Sequence, residues 1–278
     1  MDNREALGLI AAGGRLPFLV AEGAKRAGRR VICVGLAGYA DAALGDLVDV
    51  FRFVRPAGVG GWLRVLRRHG VTDAVIVGSV VKARIYVRWR LLRYLPDWRA
   101  LRVLCWRIRG KSRNTDTVMG ALSDELATGG ITVIDSTKYC QEHLATAGVL
   151  TRCRPSAQAL CDIDRGWDIA KKLGELDIGQ AVVIKEKEVI AVEAIEGTAQ
   201  MLKRAGQLCR AGGWVLVKTS KPEQDMRFDV PCIGPETVRS LAENGGCCIV
   251  VEADKTIIID KPQTIELAQD LGIAIVAR

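Results

Sequence analysis

The sequence predicts an α/β protein in two parts: an N-terminal domain built on a parallel sheet (residues 1–148) and a C-terminal α+β domain (residues 156–278). Three observations carry that expectation. As far as Ile134, short apolar runs alternate with amphipathic helical patterns, the order that winds helices around a parallel sheet. Between Ala145 and Pro155 the periodicity lapses around Gly148 and Pro155. Beyond that point the order becomes mixed and contains a hairpin signature. At 278 residues, 49% of them apolar, the chain is long enough for two ordinary domains with a core each.

Leu7–Ala12 is an apolar run of strand length, followed by a Gly13-Gly14 turn. Leu16–Ala27 has helical spacing, opens with Pro17 in its first turn and closes at Gly28. Val31–Gly35 reads as a second strand, Trp62–His69 as a basic amphipathic helix ending at Gly70, and Ala74–Gly78 as a short buried strand. Asp116–Ala127 is a helix stopped by Gly129-Gly130, and Ile131–Ile134 is another strand. In the second half a helix over Ile163–Leu173 precedes strands Ala181–Ile184 and Val189–Val192, which are joined by a turn at Lys185–Glu188. Thr198–Leu208 is helical, Trp214–Lys218 a strand and Glu236–Glu243 a helix. Cys248–Val251 and Thr256–Ile259 flank an Ala-Asp-Lys turn, and a helix over Gln263–Leu271 leads into strand Ile273–Val276.

The net charge of +8 is concentrated in one stretch. Between Lys82 and Arg113 eleven Lys and Arg stand against a single acid, Asp97, and the remainder of the chain is slightly acidic. Inside the stretch Leu91, Leu95, Trp98, Leu101, Cys105 and Ile108 recur at helical spacing, and Tyr86, Trp89, Tyr94 and Trp106 add aromatics. Pro96 splits it, and Asp97 is placed to cap a second helix. This pattern suits an anionic membrane surface or an amphiphilic ligand. Nucleic acid attracts the same cations, and a packed helical pair with a solvated basic face carries the same spacing. The first residues lack a signal-peptide pattern and no apolar run reaches bilayer length, so a soluble, cytoplasmic protein is expected. The nine cysteines form no CxxC pair and only His69 and His143 could join them, which favours core thiols over a structural zinc site.

The densest chemistry lies in Lys218–Gly234, where Lys218, Lys221 and Arg227 are set among Asp225 and Asp229 and punctuated by Pro222 and Pro231. Cations suit phosphate oxygens and carboxylates suit a hard divalent metal. The loop therefore reads as a phosphate-and-metal site, or as a surface loop whose charges pair with one another. Gly13-Gly14 ahead of a helix puts backbone amides at a helix N-terminus, which can cradle a phosphate. The pattern is not GxGxxG, and no acid closes the second strand, so a nicotinamide cofactor is disfavoured. Gly78-Ser79 ends the third strand at the same sheet edge. Its amide and hydroxyl would complete an anion pocket there, or simply end the strand. Between Glu193 and Thr198, with Glu196 and Gly197 inside, a strand hands over to a helix; Thr198 is placed to cap that helix, with phosphate binding as the alternative. Gln180 opens a strand after Gly179. No nucleophile–base pair or G-x-S-x-G is present, so attack by activated water fits this inventory better than covalent catalysis.

Four blocks in one order then carry a resemblance: Leu7–Pro17 with its Gly13-Gly14 turn, Leu176–Gln180, Val192–Thr198, and Lys218–Gly234 with Lys221-Pro222, Gln224-Asp225 and Arg227-Phe228-Asp229. In these the chain resembles the LpxI family, UDP-2,3-diacylglucosamine pyrophosphatases of lipid A biosynthesis, over nearly its whole length. The resemblance implies a Rossmann-like N-terminal domain, a C-terminal domain peculiar to the family, and a substrate lying between them. It implies water attack on the α-phosphorus, giving UMP and 2,3-diacylglucosamine 1-phosphate (lipid X), with Mg²⁺ or another divalent metal as cofactor. Asp229 falls on the family's essential aspartate, with Asp229 and Asp225 as metal ligands. Gly13, Gly14, Gln180, Thr198 and the Lys221-Pro222 segment fall where the family contacts phosphate and sugar, and Gly78, Ser79, Glu196, Gly197, Lys218, Gln224 and Arg227 complete the expected substrate contacts.

The chain departs from the family's pattern at Ala12 in place of a glycine, Ala199 in place of an aspartate, Cys232 in place of a threonine, and Asn114-Thr115-Asp116 in place of Gly-Asp-Asp. The expectation is a cytoplasmic enzyme attached peripherally to the anionic inner-membrane surface, compatible with a homodimer and without a nucleic-acid partner. A non-catalytic nucleotide-sugar or phospholipid-binding protein, and a basic RNA-binding protein, are the rival readings.

Overall fold

The computed structural model describes residues 5–80, 95–110, 115–222 and 224–278. It divides into two compact units, residues 1–141 with 225–229, and residues 142–224 with 230–278. The five residues Asp225–Asp229 therefore belong to the first unit although they sit deep in the second half of the chain.

The first unit is built on a wholly parallel sheet of β1 (Ala6–Ala11), β2 (Arg30–Leu36), β3 (Val50–Val54), β4 (Asp73–Val77) and β5 (Thr132–Val133), in the order β3-β2-β1-β4-β5. That is the strand order of a doubly wound sheet, in which ligands favour the carboxyl edge where the order reverses. Central β1 is buried along its whole length, which explains its unbroken apolar run. Helices α1 (Leu16–Arg26) and α2 (Val59–Arg68) follow β1 and β3. Trp62, Leu63 and Leu66 of α2 join Ile10, Ile32, Val34 and Ile131 in the core. Strand β3 has no counterpart among the sequence expectations. It is an edge strand whose Arg52 and Phe53 face solvent, so its apolar signal is diluted.

In the second unit a six-stranded mixed sheet runs β6-β13-β11-β9-β7-β8. Its strands are β6 (Gly148–Val149), β7 (Ala181–Lys185), β8 (Glu188–Val192), β9 (Trp214–Lys218), β11 (Gly246–Val251) and β13 (Ala274–Ala277). Strands β9, β11 and β13 are parallel, and β6, β7 and β8 antiparallel to their neighbours. Alternation puts Leu216, Ile249 and Ile275 in one core, beneath Met201 and Leu202 of a helix at Thr198–Leu208 and Val238 and Leu241 of another at Pro235–Glu243. Val215, Val217 and Val250 enter a second core, against Ile163 and Ala170 of α5 (Ala157–Glu175).

Sequence signals and structure part in the last third of the chain. Thr256–Ile259 does not pair back on β11; its β12 (Ile257–Ile258) lies parallel to β10 (Cys232–Ile233). The β7–β8 hairpin turns through Glu186 and Lys187, both left-handed, where glycine or asparagine is usual. Buried Asp162 compensates by accepting both turn amides, at 3.0 and 2.7 Å.

The basic stretch is described for residues 95–110 only; Lys82, Arg84, Arg88, Arg90, Arg93, Lys111 and Arg113 lie outside the described residues, as do Tyr86, Trp89, Leu91, Tyr94 and Asn114. Asp97 caps a short helix, α3 (Trp98–Arg102), by accepting from the Ala100 amide, and also accepts from the Gly60 amide at 2.7 Å. A π-helical turn, Val103–Arg107, follows. Of the stretch's described cations three are paired and Arg109 is exposed. Arg99, Arg102 and Arg107 converge on Glu125 of α4 (Thr115–Ala127), whose side chain is wholly buried. Leu95, Trp98, Leu101, Leu104 and Trp106 face outward.

Candidate active site

In the first unit the Gly13-Gly14 turn leaves β1 and meets Ser79 beyond the end of β4. Gly13 donates its amide to the Ser79 carbonyl (3.1 Å), and Ser79 donates its own to the Gly13 carbonyl (2.8 Å). The Ser79 hydroxyl also leans on that carbonyl. Gly78 allows the approach, because its φ is +101° and a Cβ there would stand 2.7 Å from the Gly13 oxygen. The pocket expected from the Gly13 and Ser79 amides is thus modified, since those two donors bind each other's carbonyls. Gly14 and the start of α1 are the parts of the turn that remain suited to a phosphate.

Asp225–Asp229 is anchored within the same unit. The Met226 carbonyl accepts from the Ser136 amide and hydroxyl at 3.1 and 2.8 Å, and Phe228 is buried in the core with Ile10 and Trp62. Arg227 binds both Asp225 oxygens, at 2.7 to 3.1 Å, and reaches the Ser123 hydroxyl at 3.3 Å. Those hydrogen bonds from Arg227 outweigh partial burial and hold the Asp225 carboxyl below the usual carboxylate range. Asp225 is therefore a carboxylate held by its arginine. Asp229 follows with φ +51°, in the left-handed region. Such backbone is costly for most side chains, least so for Asp, Asn and Gly, and it clusters at functional sites.

Gln180, Glu196, Gly197, Thr198, Lys218, Lys221 and Gln224 all belong to the second unit. The helix α6 (Thr198–Leu208) is capped by Gly197, at φ +81°, without a side-chain capping bond. Thr198 is thus not the cap that its position in the sequence favours. Its hydroxyl donates to Glu193 and accepts from the Lys218 ammonium at 2.8 Å. Glu193 is buried, so this relay fixes the direction of a cation at the end of β9. Glu196 instead pairs with Arg204. Ala199, at a departure from the family's pattern, is exposed on the first turn of α6. Lys221 pairs with Asp177, another left-handed aspartate, and Gln180 meets Gln224 at 3.5 Å.

The strand-end segment Lys218–Lys221 has a second anchor that sequence reasoning did not find. Glu252, just beyond β11, accepts from the Ser220 amide at 2.9 Å, the Ser220 hydroxyl, Lys171 at 2.6 Å and Lys255 at 3.1 Å. Burial by itself would raise its pKa, but these donors outweigh it and bring the carboxyl down to about 2. An acid directly after a buried apolar strand was the available signal; its partners are distant in sequence. At another departure, the Cys232 thiol donates to the Val230 carbonyl at 3.2 Å. Among the described residues no group of three or more His, Cys, Asp or Glu is placed to hold a metal ion.

The Thr198 relay gives one expected result. Thr198→Val keeps the shape, removes the hydroxyl and leaves Glu193 buried without that donor. Stability should fall by about 1–3 kcal/mol, and Thr198→Ser should restore it. Urea titration of the three proteins measures this, and an unchanged Thr198→Val midpoint would show that the relay bears no weight.

A wholly parallel unit in doubly wound strand order, joined to a mixed-sheet unit, defines a two-unit α/β protein. Comparison with known proteins specifies which. Residues 6–143 match the model of the LpxI N-terminal domain and residues 146–276 that of the LpxI C-terminal domain. Over 278 aligned residues the chain is 33% identical to "UDP-2,3-diacylglucosamine pyrophosphatase LpxI" of Caulobacter vibrioides, covering 96% of this chain and 95% of that one. The chain belongs to the LpxI family.

Proposed function

We propose that this protein hydrolyses the pyrophosphate bond of UDP-2,3-diacylglucosamine, releasing UMP and 2,3-diacylglucosamine 1-phosphate, at the cytoplasmic face of the inner membrane. The observation that carries the reading is the end-to-end match to the Caulobacter vibrioides pyrophosphatase, through both family domains. No helix among the described residues is long and apolar enough to cross a membrane, so attachment, in this reading, is peripheral.

The residues divide by chemistry. Lys218, directed by Thr198, and Lys221 supply cations for the diphosphate and offset negative charge as it builds on the phosphoryl oxygens. The Gly14 turn at the start of α1 presents amides and the positive end of a helix dipole to a phosphate. Asp229 orients the attacking water and accepts its proton. Arg227, tied to Asp225, holds the turn that places Asp229. Mg²⁺ fits this donor set, because it is commonly held by one or two carboxylates and the substrate's own phosphate oxygens, with no full protein cage. Asp229 is the carboxylate that would hold it, and the ion would supply charge neutralisation on the diphosphate.

Hydrolysis in ¹⁸O-water tests the direction of attack. With Mg²⁺ present, the label is expected in UMP, as attack at the α-phosphorus requires. Label confined to the sugar phosphate would overturn that assignment, and absence of UMP release would overturn the reading as a whole.

A further inference from the structure

We propose that the outward face formed by Leu95, Trp98, Leu101, Leu104 and Trp106 is the surface by which this protein docks on an anionic phospholipid bilayer. The proposal rests on the preceding reading only in that a diacylated substrate gives the protein a reason to meet a membrane.

The argument begins with an inverted polarity. A segment at a protein surface ordinarily turns its apolar side chains inward and its charges to water. Here only Ala100, Val103 and Ile108 go inward, and Arg99, Arg102 and Arg107 turn to Glu125. The largest apolar groups are left outside: Trp98 is 67% exposed, Trp106 59% and Leu95 53%. Such a cluster marks an interaction surface more often than an accident of folding.

Its composition favours a membrane interface. Trp98 and Trp106 stack edge to face with ring centroids 5.6 Å apart, and indoles combine a large apolar ring with a polar N–H, the property that concentrates tryptophan at headgroup depth. The face is also held in place before anything binds. Asp97 ties the start of α3 to the Gly60 amide, and Glu125 gathers the three arginines behind it. Little ordering cost then remains at docking.

Charge selects the partner. Exposed Arg109 closes the segment, and by sequence the neighbouring stretches 82–94 and 110–113 carry seven cations and no acid. An anionic bilayer is complementary to this, at roughly 1 kcal/mol for each cation near its surface.

Flotation with vesicles tests the proposal. Wild type is expected to bind phosphatidylcholine vesicles containing phosphatidylglycerol, and to bind pure phosphatidylcholine far more weakly. Trp98→Ser/Trp106→Ser should lower binding by about tenfold or more, because apolar area no longer enters the interface. UMP release from detergent-dispersed substrate should be unchanged, and that assay also shows that the variant is folded. Failure of wild type to bind anionic vesicles, or equal binding by the double variant, overturns the proposal. If the variant instead loses activity in detergent while circular dichroism shows a native fold, the face belongs to substrate binding and the docking assignment is wrong. A wild-type dimer that becomes monomeric in the variant, with vesicle binding intact, would assign the face to a second copy. If wild type releases no UMP, the pyrophosphatase reading fails separately and the vesicle comparison still decides this one.

Discussion

Replacing Asp229 is expected to remove turnover while leaving the protein folded and able to bind substrate. Loss of a residue in acid–base chemistry costs of order 10²–10⁴ in rate. Phosphate binding is assigned to other groups, Lys218, Lys221 and the Gly14 turn, so the loss should fall on kcat and not on Kd. The choice of substitution matters, because Asp229 has φ +51° and alanine resists that backbone. Asp229→Asn is the cleaner variant. Asparagine tolerates the left-handed region and keeps the size of the side chain, so what it removes is the negative charge and the proton acceptor. Single-turnover release of UMP and calorimetric titration with substrate separate the two effects. Near-normal turnover in a folded Asp229→Asn protein would sink the assignment and make Asp225 the next residue to test.

Glu252→Gln is expected to cost about 3 kcal/mol of stability at neutral pH, and the cost should vanish in acid. The folded carboxyl titrates at about 2 against an ordinary value of 4.5, a difference worth roughly 3 kcal/mol. Because the folded value is the lower one, the stabilisation is complete above pH 4.5 and is lost as pH falls towards about 2. Wild type and variant should therefore differ in urea midpoint at pH 7 and converge across that interval. A gap that stays constant with pH would mean that Gln disturbs packing and that the charge of Glu252 is not what matters. The effect should extend to the site, since Ser220, which donates twice to Glu252, lies between Lys218 and Lys221. Substrate affinity is expected to weaken in Glu252→Gln even under conditions where the fold persists.

Elements with strong local signals were legible to the residue. The helix Thr198–Leu208 and the strand Trp214–Lys218 have the bounds their periodicity predicts. The cap at Asp97 and the hairpin around Glu186 and Lys187 also follow from local sequence. Strand β3 was not legible, because an edge strand with Arg52 and an exposed Phe53 has no clean alternation. In the site, the residue types of Lys218–Gly234 offered phosphate and metal chemistry or a self-paired surface loop, and the order of four blocks pointed to the family that the domain matches establish.

By itself the sequence determined the α/β class, most of the strands and helices, the concentration of charge and the residue types gathered in the candidate site. These depend on periodicity and residue type over ten or twenty positions, which a chain carries wherever it is folded. Only the tertiary structure decided which charges are committed to one another. Glu252 meets Lys171 across 81 residues, and Arg227 reaches Ser123 across 104. Arg99, Arg102 and Arg107 are cations that read as a solvated face until Glu125 is seen buried behind them. Such pairings follow from which strands and helices lie side by side, a property of topology that no local window contains. A buried charge must find its partner wherever the fold has put it.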